Sequence, residues 1–304
     1  MNESILETKG LTKKYRGTLA LDHMNLTLRR GEIYGFIGEN GAGKTTTIRL
    51  ITGLSFPTEG HLSLFGQSGE KQLQKQRERM GCMVETPALY KNMTAEQNLE
   101  AQRIQRGIPD RECIKETLKL VGLSDTGKKA ARHFSLGMRQ RLGIAMALLN
   151  DPEFLILDEP INGLDPSGIV EIRELMKRLN QEKGITILVS SHNLGELYQT
   201  ATRYILLHKG RLLEELSQKE LEEKCKRHIA IQTNDSAKTA AALENLLKTT
   251  NFQVMPDGTV RLYDHLDETE NVARILSQAG LLVTGFSLAG DSLEDYFLHR
   301  IGGR

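Results

Sequence analysis

A glycine-rich loop between an apolar segment and a helix-like segment is the feature that most restricts how this chain can fold. The pattern G-x-x-x-x-G-K-[ST] is matched at every fixed position by Gly38-Glu39-Asn40-Gly41-Ala42-Gly43-Lys44-Thr45. The apolar segment 33–37 leads into the loop, and the helix-like segment 46–51 leaves it. A glycine-rich turn with an incidental lysine is the alternative, and this strand-to-helix context argues against it.

Such a loop can hold phosphate groups for physical reasons. Glycines let the backbone curl so that successive N–H groups converge on phosphate oxygens. The helix that follows points the positive end of its dipole at the same anion. Lys44 can reach the β- and γ-phosphates of a nucleotide, and the Thr45 hydroxyl can ligate Mg²⁺. The sequence therefore predicts a nucleotide site formed by Gly38, Glu39, Asn40, Gly41, Ala42, Gly43, Lys44, Thr45 and Thr46.

Length and charge limit the classes of protein that this chain can belong to. Its 304 residues suit one domain of roughly 200 residues and a smaller one. A formal net charge of +1 gives no general attraction to nucleic acid, so we expect no nucleic-acid partner. The three cysteines are widely spaced and form no metal or disulfide pattern.

No apolar run approaches the ~18 residues that span a bilayer. The N-terminal residues 1–9 lack the basic and then apolar layout of a signal peptide. We therefore expect a soluble, cytosolic chain whose membrane role, if it has one, comes through a partner.

Two short, fully apolar runs predict strands that are covered on both faces, as in a parallel sheet. They are residues 154–157 and 185–189. Between them we predict a helix that Asp165 caps, that has Pro166 at its first position and that ends before Gly184. Together they form a strand–helix–strand unit.

The segment from about residue 94 to residue 150 has a helical pattern instead. Thr94 and Gln97 match a capping box at its start. Near its end we predict a helix over residues 138–149, halted by Asp151 and Pro152.

A second domain is predicted from residue 217 onward. Its expected order is helix 217–226, strand 228–232, helix 237–247, strand 252–255, turn 256–258, strand 259–263, helix 268–278, strand 281–288 and a last helix from Leu293. Without the two end helices, this is the β-α-β-β-α-β order of a ferredoxin-like unit. It carries no catalytic constellation, so we expect it to serve packing or regulation.

Asp158 and Glu159 follow the apolar run 154–157 directly, at the carboxyl end of a predicted strand, where α/β sheets bind ligands. Asp158 can order the Mg²⁺ shell. Glu159 can polarise an attacking water. Solvated charges that merely end a buried strand are the alternative, and the phosphate loop on the same chain argues against it.

His192 follows the second apolar run, where it can hydrogen-bond a γ-phosphate oxygen. A structural or surface histidine is the alternative.

Taken together and in this order, the motifs of residues 6–215 resemble those of the ATP-binding subunits of ABC transporters. The resemblance implies that Tyr15 stacks on adenine. It also identifies the signature loop as Phe134-Ser135-Leu136-Gly137-Met138-Arg139-Gln140. Within that loop, Ser135 and Gly137 align with residues that contact the γ-phosphate bound to the opposite subunit, and the helix predicted from Met138 aims its N-terminus at that phosphate. Residues 162–165 match the segment that crosses the dimer interface.

The chain departs from the common pattern of this family at three positions. Leu136 and Met138 replace a glycine and a glutamine of the signature loop. Glu85 stands where a glutamine usually ligates Mg²⁺ and senses the membrane partner, and its carboxylate still offers a hard oxygen. These departures and the closing residues 292–297 resemble the bacitracin-export and lantibiotic-immunity branch.

The resemblance implies an α/β fold: a P-loop ABC-type ATPase domain over residues 1–216 with an inserted helical subdomain at about 90–150, followed by an α+β, ferredoxin-like domain over 217–304. Two copies would form a homodimer around two ATP molecules. Lys44, Glu159 and His192 would be catalytic, and Thr45, Glu85 and Asp158 would hold Mg²⁺. The dimer would bind a membrane permease at the cytoplasmic face of the cell membrane and power export of a peptide antibiotic.

Two other functions compete with this one. A soluble ABC-type ATPase acting on a ribosome or on nucleic acid usually has two cassettes or a long coiled coil, and this sequence has one cassette and no sustained heptads. A module that senses ATP without hydrolysing it does not need both Glu159 and His192.

Overall fold

The computed structural model describes residues 3–290, 296–298 and 300. The chain divides into two compact units between Gln218 and Lys219. Each unit has its own sheet or sheets and its own buried core.

The strands of the first unit are β1 (Ser4–Tyr15), β2 (Thr18–Arg29), β3 (Ile33–Ile37), β4 (Glu59–Leu64), β5 (Gln67–Ser68), β6 (Met80–Met83), β7 (Phe154–Asp158), β8 (Thr186–Ser190), β9 (Arg203–His208) and β10 (Arg211–Ser217). Its helices are α1 (Lys44–Ile51), α2 (Glu70–Arg77), α3 (Ala95–Gln105), α4 (Glu112–Leu120), α5 (Leu136–Leu148), α6 (Pro166–Lys183) and α7 (Leu194–Thr200).

A six-stranded sheet in the order β10-β9-β3-β8-β7-β6 carries the segments that lead into the predicted site. Its strands pair in parallel except at β10, which is antiparallel to β9. Every residue of β3, β7 and β8 is buried, as expected for strands covered on both faces. The predicted α/β fold with its strand–helix–strand unit is therefore confirmed. Because β3, β8 and β7 are parallel neighbours, their carboxyl ends lie at one edge of the sheet.

A four-stranded antiparallel sheet in the order β2-β1-β4-β5 completes the core of this unit. One buried cluster contains side chains from both sheets and from α1, including Leu6, Leu28, Phe36, Ile48 and Ile156. Burial of this apolar surface fixes α1, which follows the phosphate loop, against the sheets.

The region between β6 and β7 is helical, as the sequence predicts. The capping box at the start of α3 is present: the Gln97 N–H donates to the Thr94 hydroxyl at 3.2 Å, and the Thr94 N–H donates to Gln97 Oε1 at 2.9 Å. The helix that the sequence predicts over residues 138–149 is present as α5. Its predicted start at Met138 is wrong, because α5 begins at Leu136. Ser135 caps it, and its hydroxyl accepts the Met138 N–H at 3.2 Å.

The helix α6 has Pro166 at its start and ends at Gly184, whose φ of 67° is left-handed. Asp165 occupies the N-cap position, but its side chain makes no capping hydrogen bond. Instead, its carboxylate accepts the Ser167 hydroxyl at 2.7 Å. The predicted helix is therefore present with Asp165 at its N-cap, although the Asp165 side chain does not supply a capping hydrogen bond.

The remaining elements are α8 (Gln218–Cys225), β11 (His228–Thr233), α9 (Ser236–Leu246), β12 (Phe252–Val254), β13 (Val260–Leu262), α10 (Thr269–Gln278) and β14 (Val283–Ala289). The strands form an antiparallel sheet in the order β12-β13-β11-β14. The two helices α9 and α10 contribute Leu243, Val272 and Leu276 to a core with Ile229 and Leu262. The predicted ferredoxin-like order is therefore confirmed. The start of the last predicted helix, at Leu293, lies outside the described residues.

No helix in the part of the chain that the structure describes is both long and apolar enough to cross a bilayer.

Glu153, just before β7, ties three segments of the first unit together. Its carboxylate accepts hydrogen bonds from Arg79 Nε at 2.6 Å and from Arg30 Nη1 at 2.7 Å. Arg79 precedes β6, Glu153 precedes β7 and Arg30 follows β2. The carboxylate therefore links the starts of β6 and β7 to the turn after β2. The hydrogen bond from Arg79, then that from Arg30, lower the pKa of the Glu153 carboxyl from 4.5 to about 2.

We expect Glu153→Gln to lower the free energy of unfolding by about 1 kcal/mol or less, since the carboxylate is partly exposed. The folded pKa lies below the unfolded one, so this stabilisation is complete above the unfolded value of 4.5 and is lost as the pH falls toward 2. Urea unfolding of both proteins across this range measures it. A loss in the variant that does not shrink with falling pH would contradict the assignment.

Candidate active site

The phosphate loop connects the end of β3 to the start of α1 and depends on glycine at two positions. A Cβ on Gly38 would lie 2.6 Å from the backbone oxygen of Leu207. Gly43 has a φ of 108°, which other residues rarely adopt. The loop is closed by the Ala42 N–H, which donates to the Glu39 carbonyl at 3.0 Å. Its glycines are thus required by close approach and by backbone conformation.

Lys44, the first residue of α1, is buried behind this loop with 6% of its surface exposed. Its ammonium donates to the carbonyl oxygens of Gly38 and Glu39. Burial lowers the pKa of Lys44, and the negative charges of Glu159 and Asp158 oppose that shift. The ammonium is therefore fixed at the curled backbone where a phosphate would lie.

Thr45 and Asp158 lie together, as the sequence predicts. The Thr45 hydroxyl donates to Asp158 Oδ2 at 3.1 Å, and the Asp158 carboxylate is buried at the end of β7. Its other oxygen, Oδ1, accepts the Ser190 hydroxyl at 2.5 Å. The two oxygen-bearing side chains offer the hard ligands that Mg²⁺ prefers.

Ser190 is a site residue that the sequence analysis missed. Its hydroxyl donates to Asp158 and accepts the Glu159 N–H at 2.9 Å. The available signal was a polar residue directly after the apolar run 185–189. Only the parallel register, which pairs Asp158 with Ser190, makes that signal meaningful.

Glu159 and His192, predicted from separate segments, are hydrogen-bonded to each other. Glu159 Oε2 lies 2.8 Å from His192 Nδ1. Glu159 has a φ of 50°, a left-handed conformation that costs a glutamate on the order of 1 kcal/mol. Its backbone N–H bonds to Ser190 hold that conformation. This backbone conformation thereby places the Glu159 carboxylate within hydrogen-bond distance of His192.

Glu85 is engaged by a cation that the sequence analysis did not anticipate. Its carboxylate lies 2.5 Å from Arg49 Nη2, and both side chains are exposed. Arg49 is one turn after Thr45 on α1, so the ion pair lies on the side of the helix that carries Thr45. Among the described contacts, Glu85 therefore binds Arg49 and not Thr45 or Asp158.

Tyr15 lies at the end of β1 with 41% of its surface exposed. Its hydroxyl is 3.3 Å from that of Ser55, in the turn after α1, and the Lys13 ammonium is 4.8 Å from the centre of its ring. An aromatic surface is thus available to solvent.

Ser135 and Gly137 stand apart from the phosphate loop in a single chain. Ser135 is exposed at the N-terminus of α5, and neither residue has a hydrogen bond to residues 38–45 among those the structure describes. The neighbouring Leu136 contacts the segment 162–165: its Cδ2 would lie 3.2 Å from a Cβ placed on Gly163. The segment around Leu136 therefore packs on residues 162–165 of its own chain, and Ser135 remains exposed.

Comparisons with known proteins agree with this geometry. The family model described as ABC transporter matches residues 21–162. The chain is 42% identical to the bacitracin transport ATP-binding protein BcrA of Bacillus licheniformis, over 99% of this chain and 98% of the relative. It is 38% identical to the lantibiotic transport ATP-binding protein SrtF of Streptococcus pyogenes, over 69% of this chain and 90% of the relative.

Solved structures give the same result. A dimeric, post-hydrolysis structure of the ATP-binding cassette MJ0796 with ADP and Pi has a TM-score of 0.64 and 28% identity, over 70% of this chain and 99% of that one. The cbiO1 subunit from Clostridium perfringens, part of an ABC transporter complex, has a TM-score of 0.67 and 26% identity, over 81% of this chain and 97% of that one.

These similarities coincide with a phosphate loop, a Thr45–Asp158 hydrogen bond and a Glu159–His192 pair at one edge of the sheet. The chain belongs to the ATP-binding proteins of ABC transporters and is an ATPase of that family.

Proposed function

We propose that this ATPase powers the export of a peptide antibiotic, such as bacitracin or a lantibiotic, through a separate membrane permease. The observation that carries the proposal is similarity to a bacitracin transport ATP-binding protein over 99% of the chain, including the C-terminal unit. A lantibiotic transport ATP-binding protein supports the same class of cargo. The subunit would act at the cytoplasmic face of the cell membrane.

In this proposal, residues 1–216 form the ATPase domain, with a helical subdomain at about 90–150, and residues 217–304 form an accessory domain. The surface around Glu85 and the helical subdomain would bind the permease. Glu85 is exposed and forms an ion pair with Arg49 of α1. Contact of a partner with Glu85 would therefore act on the helix that also carries Thr45.

ATP would be bound through its phosphates and through its adenine ring. The backbone of residues 38–46 would surround them, and Lys44 would neutralise their charge. Adenine would stack on the exposed ring of Tyr15.

Thr45 and Asp158 would hold Mg²⁺, which when bound neutralises charge on the phosphate oxygens. In the described part of the chain, no three His, Cys, Asp or Glu side chains are grouped to hold a metal ion, so phosphate oxygens and water would complete the shell. Glu85 could join it only by leaving Arg49.

Hydrolysis would depend on the paired side chains at the sheet edge. Glu159 would accept a proton from the attacking water. His192 holds this carboxylate through Nδ1 and would present its other nitrogen to the γ-phosphate. Ser135 and Gly137 of a second copy would close on the same phosphate, at the N-terminus of α5. The complete site would thus be a homodimer around two ATP molecules.

The test is a pull-down from native membranes with a tagged Glu159→Gln chain and ATP. The isosteric change removes the base, so we expect turnover to fall by about 10²–10⁴-fold while ATP binding remains and the closed dimer accumulates. A polytopic membrane protein without its own ATP site should co-purify. A tagged Lys44→Ala chain, which lacks the phosphate-binding ammonium, is the control and should recover less of it.

Ribosomal or DNA-associated partners without a membrane protein would instead favour a soluble ABC-type ATPase. Near-normal turnover of Glu159→Gln would remove this residue from the role of base. ATPase stimulation of the purified complex by candidate peptides would then identify the cargo.

A second prediction concerns Tyr15. Loss of a stacked ring costs roughly 1–3 kcal/mol per base, so Tyr15→Ala should weaken nucleotide binding about tenfold while turnover at saturating ATP changes less. Equilibrium titration with a fluorescent ATP analogue measures the affinity. Leu19→Ala is a matched control, because Leu19 is 45% exposed on the adjoining strand β2. If the Tyr15 variant and the wild type bind the nucleotide with equal affinity, Tyr15 does not stack on adenine and is an ordinary surface residue.

A further inference from the structure

The edge strands of the three sheets differ in how they are protected. A sheet edge presents unpaired N–H and C=O groups to any strand that can pair with them, and proteins protect such edges by short strands, charged side chains, proline or bulges. Three edge strands, β5, β6 and β12, have two to four residues. The other three, β2, β10 and β14, are long.

Charge protects two of these three long edges. The strand β2 contains Asp22 and Arg29, and β10 contains Arg211, Glu214 and Glu215. By contrast, the seven residues of β14 read Val-Thr-Gly-Phe-Ser-Leu-Ala, without charge or proline. Its neighbour among the described strands is β11 alone. The strand β14 is thus the long edge that lacks both charge and proline, and it has one register shift near its first end.

The surroundings of β14 are also suited to pairing. Leu282, just before the strand, is 66% exposed, and Leu288 within it is 47% exposed. Its register shift against β11 lies at the first end, between Val283 and Gly285, and residues 285–289 pair regularly. A neutral strand with one exposed leucine in it and another just before it is expected to be more stable when paired with a second strand than when exposed to solvent.

We propose that β14 pairs antiparallel with β14 of a second copy, so that the two C-terminal sheets become one continuous sheet. A two-fold interface brings the same surface against itself. A neutral strand tolerates this, whereas self-pairing of β10 would bring like charges together. Dimers occur among similar proteins, since a solved cassette that matches 70% of this chain is dimeric.

Full overlap of two strands that span residues 283–289 fixes the register. Phe286, the middle residue, lies on the two-fold axis, and Thr284 of each copy faces Leu288 of the other. This contact uses no nucleotide, so it goes beyond the proposed ATP-dependent closure and can be tested without it.

The experiment compares two double variants of the full chain by sedimentation velocity without nucleotide and with EDTA. Both carry Leu288→Lys at an exposed position. In the first variant, Thr284→Lys places two lysines opposite each other at each end of the paired β14 strands. In the second variant, Thr284→Glu places a glutamate opposite a lysine at the same positions. We expect the wild type and the Glu/Lys variant to dimerise, and the Lys/Lys variant to dissociate with a constant raised roughly tenfold or more.

Amide hydrogen exchange of residues 283–289 provides a readout independent of register. Protection should rise with protein concentration in the wild type and in the Glu/Lys variant but not in the Lys/Lys variant. A monomeric wild type, or identical behaviour of the two variants, overturns the proposal. Protection that appears only when the membrane subunit is added also overturns it, because the edge would then belong to that subunit. If all three proteins have normal ATPase activity, a failure of the β14 pairing would not count against the proposed function.

Discussion

A short hydrogen-bond network at the carboxyl ends of β7 and β8 is the contact on which the site depends. Ser190 donates to Asp158, Asp158 accepts from Thr45, and the Glu159 N–H donates back to Ser190. The network joins two strands to the helix that follows the phosphate loop. It exists because the parallel register pairs Asp158 with Ser190 at the last position of both strands. A slip of one residue would turn each strand's side chains to the opposite face and separate the phosphate loop from its carboxylates.

Much of this arrangement could be predicted from sequence, because its signals are local. The phosphate loop has its pattern within eight residues, and the apolar runs around residues 155 and 187 indicate buried strands without any knowledge of their neighbours. The order of elements after residue 217 was sufficient for the ferredoxin-like unit, since few sheet orders fit such a short chain. The roles of Tyr15, Ser135 and Gly137 came from a family resemblance and remain proposals.

The rest could not be predicted, because it depends on contacts between distant segments. Nothing near Glu85 in the sequence indicates its pairing with Arg49, which lies 36 positions away. The start of α5 was misplaced because Gly137 disfavours a helix locally, while the hydroxyl of Ser135 compensates by capping the first turn. Ser190 shows the same limitation: a serine at the end of a strand gains a role only when the neighbouring strand ends in an aspartate.

The contact between Leu136 and Gly163 restricts how these two positions can change during evolution. Leu136 fills the space that a side chain at position 163 would need, and Gly163 also has a φ of 75°. Gly163 lies in a turn closed by the Leu164 N–H, which donates to the Ile161 carbonyl at 3.2 Å, and this turn overlaps the one that begins at Glu159. Homologues with a larger residue at position 163 should therefore carry a smaller one at position 136, so that the two motifs vary together although 26 residues separate them.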